Sequence, residues 1–511
     1  MSDVPQSGAA TAPASGGHLG ERRLSTVHAI GQSLAIGPIF SAGLLSGLVA
    51  SVAGFNTPAS VLLGSLGALC LGYVISVYAR RYHGAGAIYE YVVHGGHPDI
   101  GVFSAGLYAI GLLFLGGGGV FIAIGFLTQG FFTAHLSALD GISWWIWGAI
   151  GLAIATGFNH FGVRLAIRGV LALAALSAVP FVITAIVVIL KGGADVNTLS
   201  VFDPAQTSWN SVFNGILFAV TLFIGFEIAA SIGEETHDPA RSIPRAVLGT
   251  IALSAAFYLL VTYAAAIGFG PGEGAQAWAA SPSPIGEVAA KYVGSGMATI
   301  VDLVVILDSI SVAIAFTVGA SRIFFALARD GLLPRALAST TRLDTPLGGN
   351  LVVVAAGIAA LIFGAATNYG AAAQLPDEIQ AFSISAAAGS YLIEAIYVIL
   401  ALFALRLVWR HGREGAWWKV PVVVAGLATP ILAYKGSLDP WPSYPNNRGI
   451  IFALVSLGIV AVWYAYLKVR HPERIRNAAR HAIAHHGVPP MDETLEYEPT
   501  PSDSLLRPKE V

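Results

Sequence analysis

The sequence has little charge and almost no cysteine. Only 11% of its 511 residues are charged, 55% are hydrophobic and the mean hydropathy is +0.70, whereas soluble globular domains carry about 25% charged residues. This composition argues against a soluble multidomain enzyme. The single cysteine, Cys70, excludes a disulfide scaffold and any zinc or iron–sulfur site built on cysteines. The formal net charge of −2 provides no basic surface for nucleic acid. This composition indicates an integral membrane protein.

Long apolar stretches run through most of the chain. A helix needs about 20 mostly apolar residues to cross the hydrocarbon core of a bilayer. Twelve stretches meet this requirement, and no separate soluble domain lies between them. The stretches are 27–53, 58–79, 100–134, 143–160, 166–190, 211–232, 243–269, 296–328, 348–366, 379–404, 417–435 and 448–468. The predicted fold class is an all-α integral membrane protein with twelve transmembrane helices.

The distribution of Lys and Arg predicts the orientation of the chain. These residues favour the cytoplasmic side of a membrane, and with the N-terminus inside, 23 of the 27 lie on that side. Residues 1–26 are rich in Gly, Ala, Ser and Pro and lack the apolar core of a signal peptide, so they predict a disordered tail. Residues 469–511 predict a second, charged tail. We expect a multi-pass plasma membrane protein with both termini in the cytoplasm.

Two of the stretches contain residues that interrupt a helix. The first contains the motif 36–40, Ile-Gly-Pro-Ile-Phe, in which Pro38 lacks a backbone donor and Gly37 permits unusual backbone angles. The sixth contains the motif 223–227, Phe-Ile-Gly-Phe-Glu. Five crossings separate the motifs, so the second one enters the membrane from the opposite face. Such paired breaks indicate a substrate site in mid-membrane, where freed N–H groups attract a carboxylate and freed carbonyls attract a cation.

Carboxylates within the predicted crossings are candidates for a functional role, because a charge in hydrocarbon costs free energy that a purely structural residue would avoid. Glu227 lies beside the second break and could carry a proton, gate the site or support the broken helix. Asp308 lies deeper on the eighth crossing than Asp302, which we assign to the outer vestibule. Glu394 on the tenth crossing could equally face the peripheral helices.

Four stretches resemble the amino acid–polyamine–organocation (APC) superfamily of permeases. They are 36–40, 78–91, 223–246 and 321–334. The resemblance implies a LeuT-like fold of two inverted repeats of five helices, with broken helices 1 and 6. The first repeat would be 27–190 and the second 211–404. The helices in 417–468 would be peripheral to this core.

The resemblance also implies roles for individual residues around the two breaks. Backbone N–H groups of Ala35, Ile36, Gly37 and Pro38 would face a substrate carboxylate, although Pro38 has no N–H and departs from the family pattern. Carbonyls of Phe223, Ile224 and Gly225 would face an ammonium. The remaining substrate contacts would come from Thr221, Phe226, Tyr108 and Gly111.

The sequence offers two candidates for a coupling ion, a proton and a sodium ion. Several proton-coupled relatives have a Lys on the fifth crossing, and the matching position here is Ser177. Hydroxyls of Ser309 and Ser311, with carbonyls of the first crossing, could form a sodium site of hard oxygen ligands. Alternatively, Ser311 bonds the carbonyl four residues earlier in its own helix. We expect no cofactor other than a coupling H⁺ or Na⁺.

The sequence thus predicts a secondary active transporter for an amino acid or related amine, working by alternating access. An amino acid/polyamine exchanger is the main alternative, and a channel or a transporter-like sensor are others. Expected partners are a small-molecule substrate and membrane lipids, with no nucleic acid. No ATP-binding or metalloprotease motif is present in the sequence, so an enzyme is not predicted.

Overall fold

The computed structural model describes residues 24–136, 139, 141–194, 198–367, 376–411, 418–439, 441–442 and 444–478. Helices are the regular elements of this part of the chain, accompanied by two isolated β-bridges, Leu24 with Thr236 and Thr340 with Pro346. The all-α prediction is confirmed. The predicted tails fall largely on 1–23 and 479–511, which lie outside the described residues.

The α-helices are numbered here in chain order. They are α1 Thr26–Ser33, α2 Pro38–Phe40, α3 Ser46–Ala53, α4 Thr57–Ala79, α5 Ile88–Gly95, α6 Pro98–Phe114, α7 Val120–His135, α8 Trp144–His160, α9 Val163–Leu190, α10 Trp209–Thr221, α11 Pro239–Phe269, α12 Glu273–Ala280, α13 Pro284–Tyr292, α14 Ser295–Arg329, α15 Leu347–Ala366, α16 Asp377–His411, α17 Lys419–Leu438 and α18 Asn446–Arg470. Tighter 3₁₀ turns include Leu34–Ile36, Gly54–Asn56 and Phe226–Ile232, and π-helical turns occupy Ser41–Leu45 and Leu115–Gly119.

Ten helical segments in the described part of the chain are long and apolar enough to cross a membrane. The first, Thr26–Ala79, has 54 residues and would reach about 80 Å as one straight helix. It turns at Gly54–Asn56, where Gly54 has φ +57°, and so contains two of the predicted crossings. Helix α8 has 17 residues, which is about 26 Å and slightly short of the hydrocarbon thickness. The count of twelve crossings therefore stays a prediction.

Proline and glycine set several of the helix boundaries. Proline lies in the first turn of α4, α6, α11 and α13, where the missing N–H costs no hydrogen bond because the first turn has no internal acceptor. Ser208 caps α10 by accepting a hydrogen bond from the N–H of Ser211 at 3.0 Å. Gly270, with φ +88°, ends α11. These local signals mark the starts of five helices and the end of α11.

Helix α14 lies at the centre of the contacts around the two interrupted segments. Helix α14 packs against α9 and also contacts the turns Leu34–Ile36 and Phe226–Ile232. Helices α4 and α11, the second helices of the two predicted repeats, pack against each other. One long buried helix therefore touches both interrupted segments.

Candidate functional site

The first crossing is interrupted at the predicted glycine. Helix α1 ends at Ser33, a 3₁₀ turn follows over Leu34–Ile36, and Gly37 has φ +59°, in the left-handed region that favours glycine. The N–H of Gly37 donates to the carbonyl of Leu34 at 2.9 Å. A Cβ at Gly37 would lie 2.2 Å from Cγ2 of Val312 on α14. Both the backbone angle and the close packing therefore require glycine here.

The sixth crossing is interrupted in the same way. Helix α10 ends at Thr221, Gly225 has φ +118°, and a 3₁₀ turn continues over Phe226–Ile232. A Cβ at Gly225 would lie 2.8 Å from the carbonyl carbon of Ala35 and 3.0 Å from the nitrogen of Ile36. The prediction of broken helices 1 and 6 is confirmed, and the two breaks lie in direct backbone contact.

Side-chain hydroxyls bind backbone carbonyls at both breaks. The hydroxyl of Ser33 donates to the carbonyl of Phe226 at 3.1 Å. The hydroxyl of Tyr258 on α11 donates to the carbonyl of Leu222 at 2.8 Å. Within its own segment, Ser41 donates through Oγ to the carbonyl of Ile36 at 2.9 Å. Several carbonyls released by the breaks are thus satisfied by hydroxyl groups, as buried polar groups require.

Asp308 accepts hydrogen bonds from the first break. The N–H groups of Ile39 and Phe40, where the helical segment resumes, donate to its Oδ2 at 3.1 and 2.8 Å. The side chain is fully buried, and its other oxygen, Oδ1, has no hydrogen-bond partner among the described residues. An acidic side chain at the start of a helical segment is electrostatically favourable, because the free N–H groups carry partial positive charge.

Glu227 lies at the second break and is also fully buried. Its Oε2 accepts hydrogen bonds from the N–H of Gly225 at 3.0 Å and from the hydroxyl of Tyr397 on α16 at 2.7 Å. The hydroxyl of Tyr108 also interacts with this carboxylate. The rings of Phe226 and Tyr397 stack at 5.8 Å between centroids and 19° between planes. A polar and aromatic cluster from α6, α16 and the second break thus surrounds one carboxylate.

Sequence reasoning missed Tyr397. The carboxylate pattern points to Glu394 on the tenth crossing, whereas Tyr397 is the side chain on that helix that binds Glu227. A tyrosine in an apolar crossing needs a partner for its hydroxyl, and this requirement was the available signal. Glu394 is also buried on α16.

The other predicted substrate contacts have specific places in the fold. Tyr108 is buried at the Glu227 cluster. Gly111, one turn further along α6, faces α16, because a Cβ there would lie 3.0 Å from Cδ1 of Ile393. Thr221 donates to the carbonyl of Phe218 at 2.6 Å within its own helix. Tyr108 therefore joins the cluster, whereas Gly111 contributes to helix packing.

The three serines proposed for ion coupling are buried but not alike. Ser309 donates to the carbonyl of Ile306 at 2.7 Å, within α14. Ser311 donates to the carbonyl of Val170 on α9 at 3.2 Å, a partner that neither sequence interpretation expected. The hydroxyl of Ser177, also on α9, has no partner in the described part of the chain. Ser311 therefore joins α9 to α14, because it bonds across helices instead of to its own helix.

Charged side chains at the end of α14 form ion pairs with the segment after the second break. Arg322 is fully buried and donates to both carboxylate oxygens of Glu235 at 3.0 and 3.2 Å. Arg329 donates to both oxygens of Glu234 at 3.0 and 3.1 Å. We refer to these four residues as the α14-end cluster. Arg241, which is nearer in the chain, pairs instead with Asp238 at 3.7 Å.

A separate cavity of about 310 Å³ lies away from the breaks. Its lining is almost entirely apolar and comes from α6, α7, α15, α16, α18 and the π-helical turn Leu115–Gly119, with Ser385 as the polar exception. The Gly116–Gly119 run contributes to the lining through Gly118. Among the described residues, no group of three or more His, Cys, Asp or Glu side chains is arranged to hold a metal ion.

Comparison of the sequence with known proteins identifies the family of this chain. The sequence model of the family described as amino acid permease matches residues 24–462, which include both breaks. An uncharacterized transporter of Mycobacterium tuberculosis (strain ATCC 25618 / H37Rv) is 29% identical over 343 residues, covering 65% of this chain and 72% of that protein. The branched-chain amino acid permease BcaP of Lactococcus lactis subsp. cremoris is 24% identical over 260 residues, covering 50% of this chain and 51% of that protein.

Among solved structures, the crystal structure of MhsT in complex with L-phenylalanine matches with a TM-score of 0.49 and 16% sequence identity, covering 80% of this chain and 98% of that one. The family match spans most of the chain and contains the two interrupted segments and the α14 contacts described above. This chain therefore belongs to the amino acid permease family and is a multi-pass membrane transporter.

Proposed function

We propose that this permease is a secondary active transporter that moves an amino acid or a related amine across the plasma membrane by alternating access. The cargo binds where residues 34–38 and 222–225 interrupt the first and sixth crossings. The observation that carries this proposal is the direct contact of the two breaks at Gly225 and Ala35. In transporters with paired breaks, the backbone groups that the breaks free usually bind the substrate.

We further propose that the coupling ion is a proton. Two fully buried carboxylates, Glu227 and Asp308, lie at the two breaks, and neither has a Lys, Arg or His partner within the described residues. An isolated anion in hydrocarbon is expensive, so groups of this kind suit a cycle in which a proton is taken up on one side and released on the other. Opening and closing of the site would exchange that proton between the two aqueous phases.

A reconstitution experiment tests the proposal. Purified protein in liposomes is given radiolabelled amino acids and amines under a proton gradient alone, a sodium gradient alone, or no gradient with preloaded substrate. We expect uptake that follows the proton gradient. Uptake driven only by sodium would contradict proton coupling, and uptake driven only by preloaded substrate would identify an exchanger. A passive leak without counterflow would contradict alternating access.

A substitution tests the role of Glu227. Glu227→Gln keeps the size of the side chain and an acceptor for Tyr397 but cannot ionise. We expect uptake that no longer depends on external pH, measured between pH 5 and 8. The matched control is Glu273→Gln, an exposed carboxylate at the start of α12, which should keep the wild-type pH profile. A wild-type profile in Glu227→Gln would assign Glu227 to support of the broken helix.

A further inference from the structure

The backbone donors from Gly37 to Ser41, where the first helix resumes after its break, are occupied inside the protein. Pro38 has no N–H, and the N–H groups of Ile39 and Phe40 both donate to Asp308. On either side, the N–H of Gly37 donates to Leu34 and that of Ser41 donates to the carbonyl of Gly37 at 2.7 Å. The N–H groups from Gly37 to Ser41 are therefore already used and cannot bind a substrate carboxylate without losing these partners.

The group that occupies these donors is a carboxyl, which is an anion in the deprotonated half of the proposed proton cycle. Asp308 lies on α14, is fully buried, and has no basic side chain as a partner within the described residues. A cargo carboxylate at this turn would have to displace it or lie beside a like charge, and like charges repel strongly where little water screens them. The free Oδ1 of Asp308 is an acceptor and suits a cation.

The second break has the same preference. Glu227 places another buried carboxylate there. The carbonyl oxygens of Phe223 and Ile224 accept no hydrogen bond from a side chain in the part of the chain that the structure describes. The ring of Phe223 packs edge-on against Tyr258, with centroids 5.1 Å apart, and aromatic faces attract cations. Acceptors and rings thus predominate where the two breaks meet.

We propose that this site takes an amine that carries no carboxylate, with its ammonium bound by Oδ1 of Asp308 and by carbonyls of the second break. Pro38 and Asp308 are the specificity determinants: Pro38 removes one donor for a carboxylate and Asp308 occupies the next two. This inference rests on the proposed function, because it requires the cargo to bind between the breaks. It selects the amine from the two cargo classes that the proposed function allows.

Matched pairs of compounds test this inference in the wild-type protein. Each pair is an amino acid and its decarboxylated amine: leucine with 3-methylbutylamine, phenylalanine with 2-phenylethylamine, and ornithine with putrescine. Binding is measured as the rise in melting temperature of the purified protein, because a ligand that binds only the folded state stabilises it. Transport is measured as counterflow in liposomes, and protein-free liposomes correct for diffusion of the neutral amines.

We expect at least one amine to raise the melting temperature and to exchange at least tenfold faster than its amino acid partner. Counterflow of an amino acid at a rate equal to or above that of its amine in every active pair would overturn the inference and leave the proposed transport function intact. Absence of counterflow for all six compounds, with protein that melts cooperatively, would overturn the proposed function together with the inference. The two failures are therefore distinguishable.

A substitution pair tests Asp308 itself. Asp308→Asn keeps the shape of the side chain and one acceptor for Ile39 and Phe40 but removes the charge. We expect a loss of amine counterflow of at least tenfold. The control is Asp302→Asn on the same helix, a partly exposed carboxylate that accepts a hydrogen bond from Ser283, which should exchange amines at the wild-type rate. Unchanged amine counterflow in Asp308→Asn would overturn the assignment of Asp308 as the group that binds the ammonium. If this variant does not fold, the comparison of compound pairs in the wild-type protein decides alone.

Discussion

Two glycines determine where the first and sixth crossings are interrupted. At Gly37 and Gly225 the backbone has φ of +59° and +118°, and a side chain at either position would collide with a neighbouring segment. Glycine is the residue that meets both conditions without strain. The breaks therefore depend on the absence of a Cβ, and the hydroxyls of Ser33 and Tyr258 then satisfy carbonyls that the breaks release.

A substitution at the second break should disable the protein without changing its polarity. Gly225→Ala places a Cβ 2.8 Å from the backbone of Ala35 at a positive φ, a strain of about 1–3 kcal/mol before the collision is counted. We expect a lower melting temperature and at least tenfold slower uptake. Gly249→Ala on α11, where a Cβ would have no neighbour within 4 Å, should leave both measurements unchanged. Wild-type uptake in Gly225→Ala would show that the two breaks need not touch.

Sequence reasoning at the scale of residues found the breaks but not their partners. Gly37 and Gly225 are visible because Gly37 precedes a proline and Gly225 lies two residues before the acidic Glu227, combinations that stand out within an apolar stretch. That Asp308 accepts hydrogen bonds from Ile39 and Phe40 joins residues 269 and 268 positions apart. No local pattern encodes such a separation, because it depends on how α14 packs against the first crossing.

At the scale of elements, α14 connects the site to the α14-end cluster. The same helix contacts both breaks and, at its other end, places Arg322 and Arg329 against Glu235 and Glu234. Movement of α14 relative to the second broken segment must therefore change both sets of contacts. Ion pairs with little exposure to water resist such a change, because separating them leaves a charge without a partner.

The contribution of the α14-end cluster to the stability of the folded protein should depend on pH. Burial by itself raises the pKa of Glu234, but the ion pair and hydrogen bonds with Arg329 and the N–H of Ala85 outweigh burial, so its pKa is lowered. A carboxyl whose pKa is lower in the folded state stabilises that state above its unfolded pKa of about 4.3, and this stabilisation is lost as the pH falls through the folded value.

Glu234→Gln should therefore remove part of this dependence on pH. We expect its unfolding free energy to be lower by about 1–3 kcal/mol at pH 7, since a buried polar contact is weakened, and the difference from wild type to shrink between pH 5 and pH 3. Melting temperatures across this range provide the measurement. Exposed Glu273→Gln is the control and should follow the wild-type curve. A constant difference at every pH would show that the carboxylate does not contribute through its charge.

At the scale of the whole molecule, the alternation of Lys and Arg predicts that the loop after α14 lies in the cytoplasm and the loop after α11 outside. Single cysteines test this prediction in a Cys70→Ser background, because Cys70 is the sole cysteine of the chain. A membrane-impermeant maleimide should label exposed Glu273→Cys in intact cells and exposed Leu343→Cys only after permeabilisation. The reverse pattern would contradict the predicted orientation of both termini.

The sequence by itself determined the membrane class, the positions of the helices and the two breaks. Each of these follows from composition or from a signal within about 20 residues: apolar length, proline in a first turn, glycine in the middle of a helix. The tertiary structure decided which groups face the breaks. Asp308, Tyr397 and Arg322 reach their partners from helices distant in the chain, and their contacts exist because a buried donor or acceptor must find a partner wherever packing provides one.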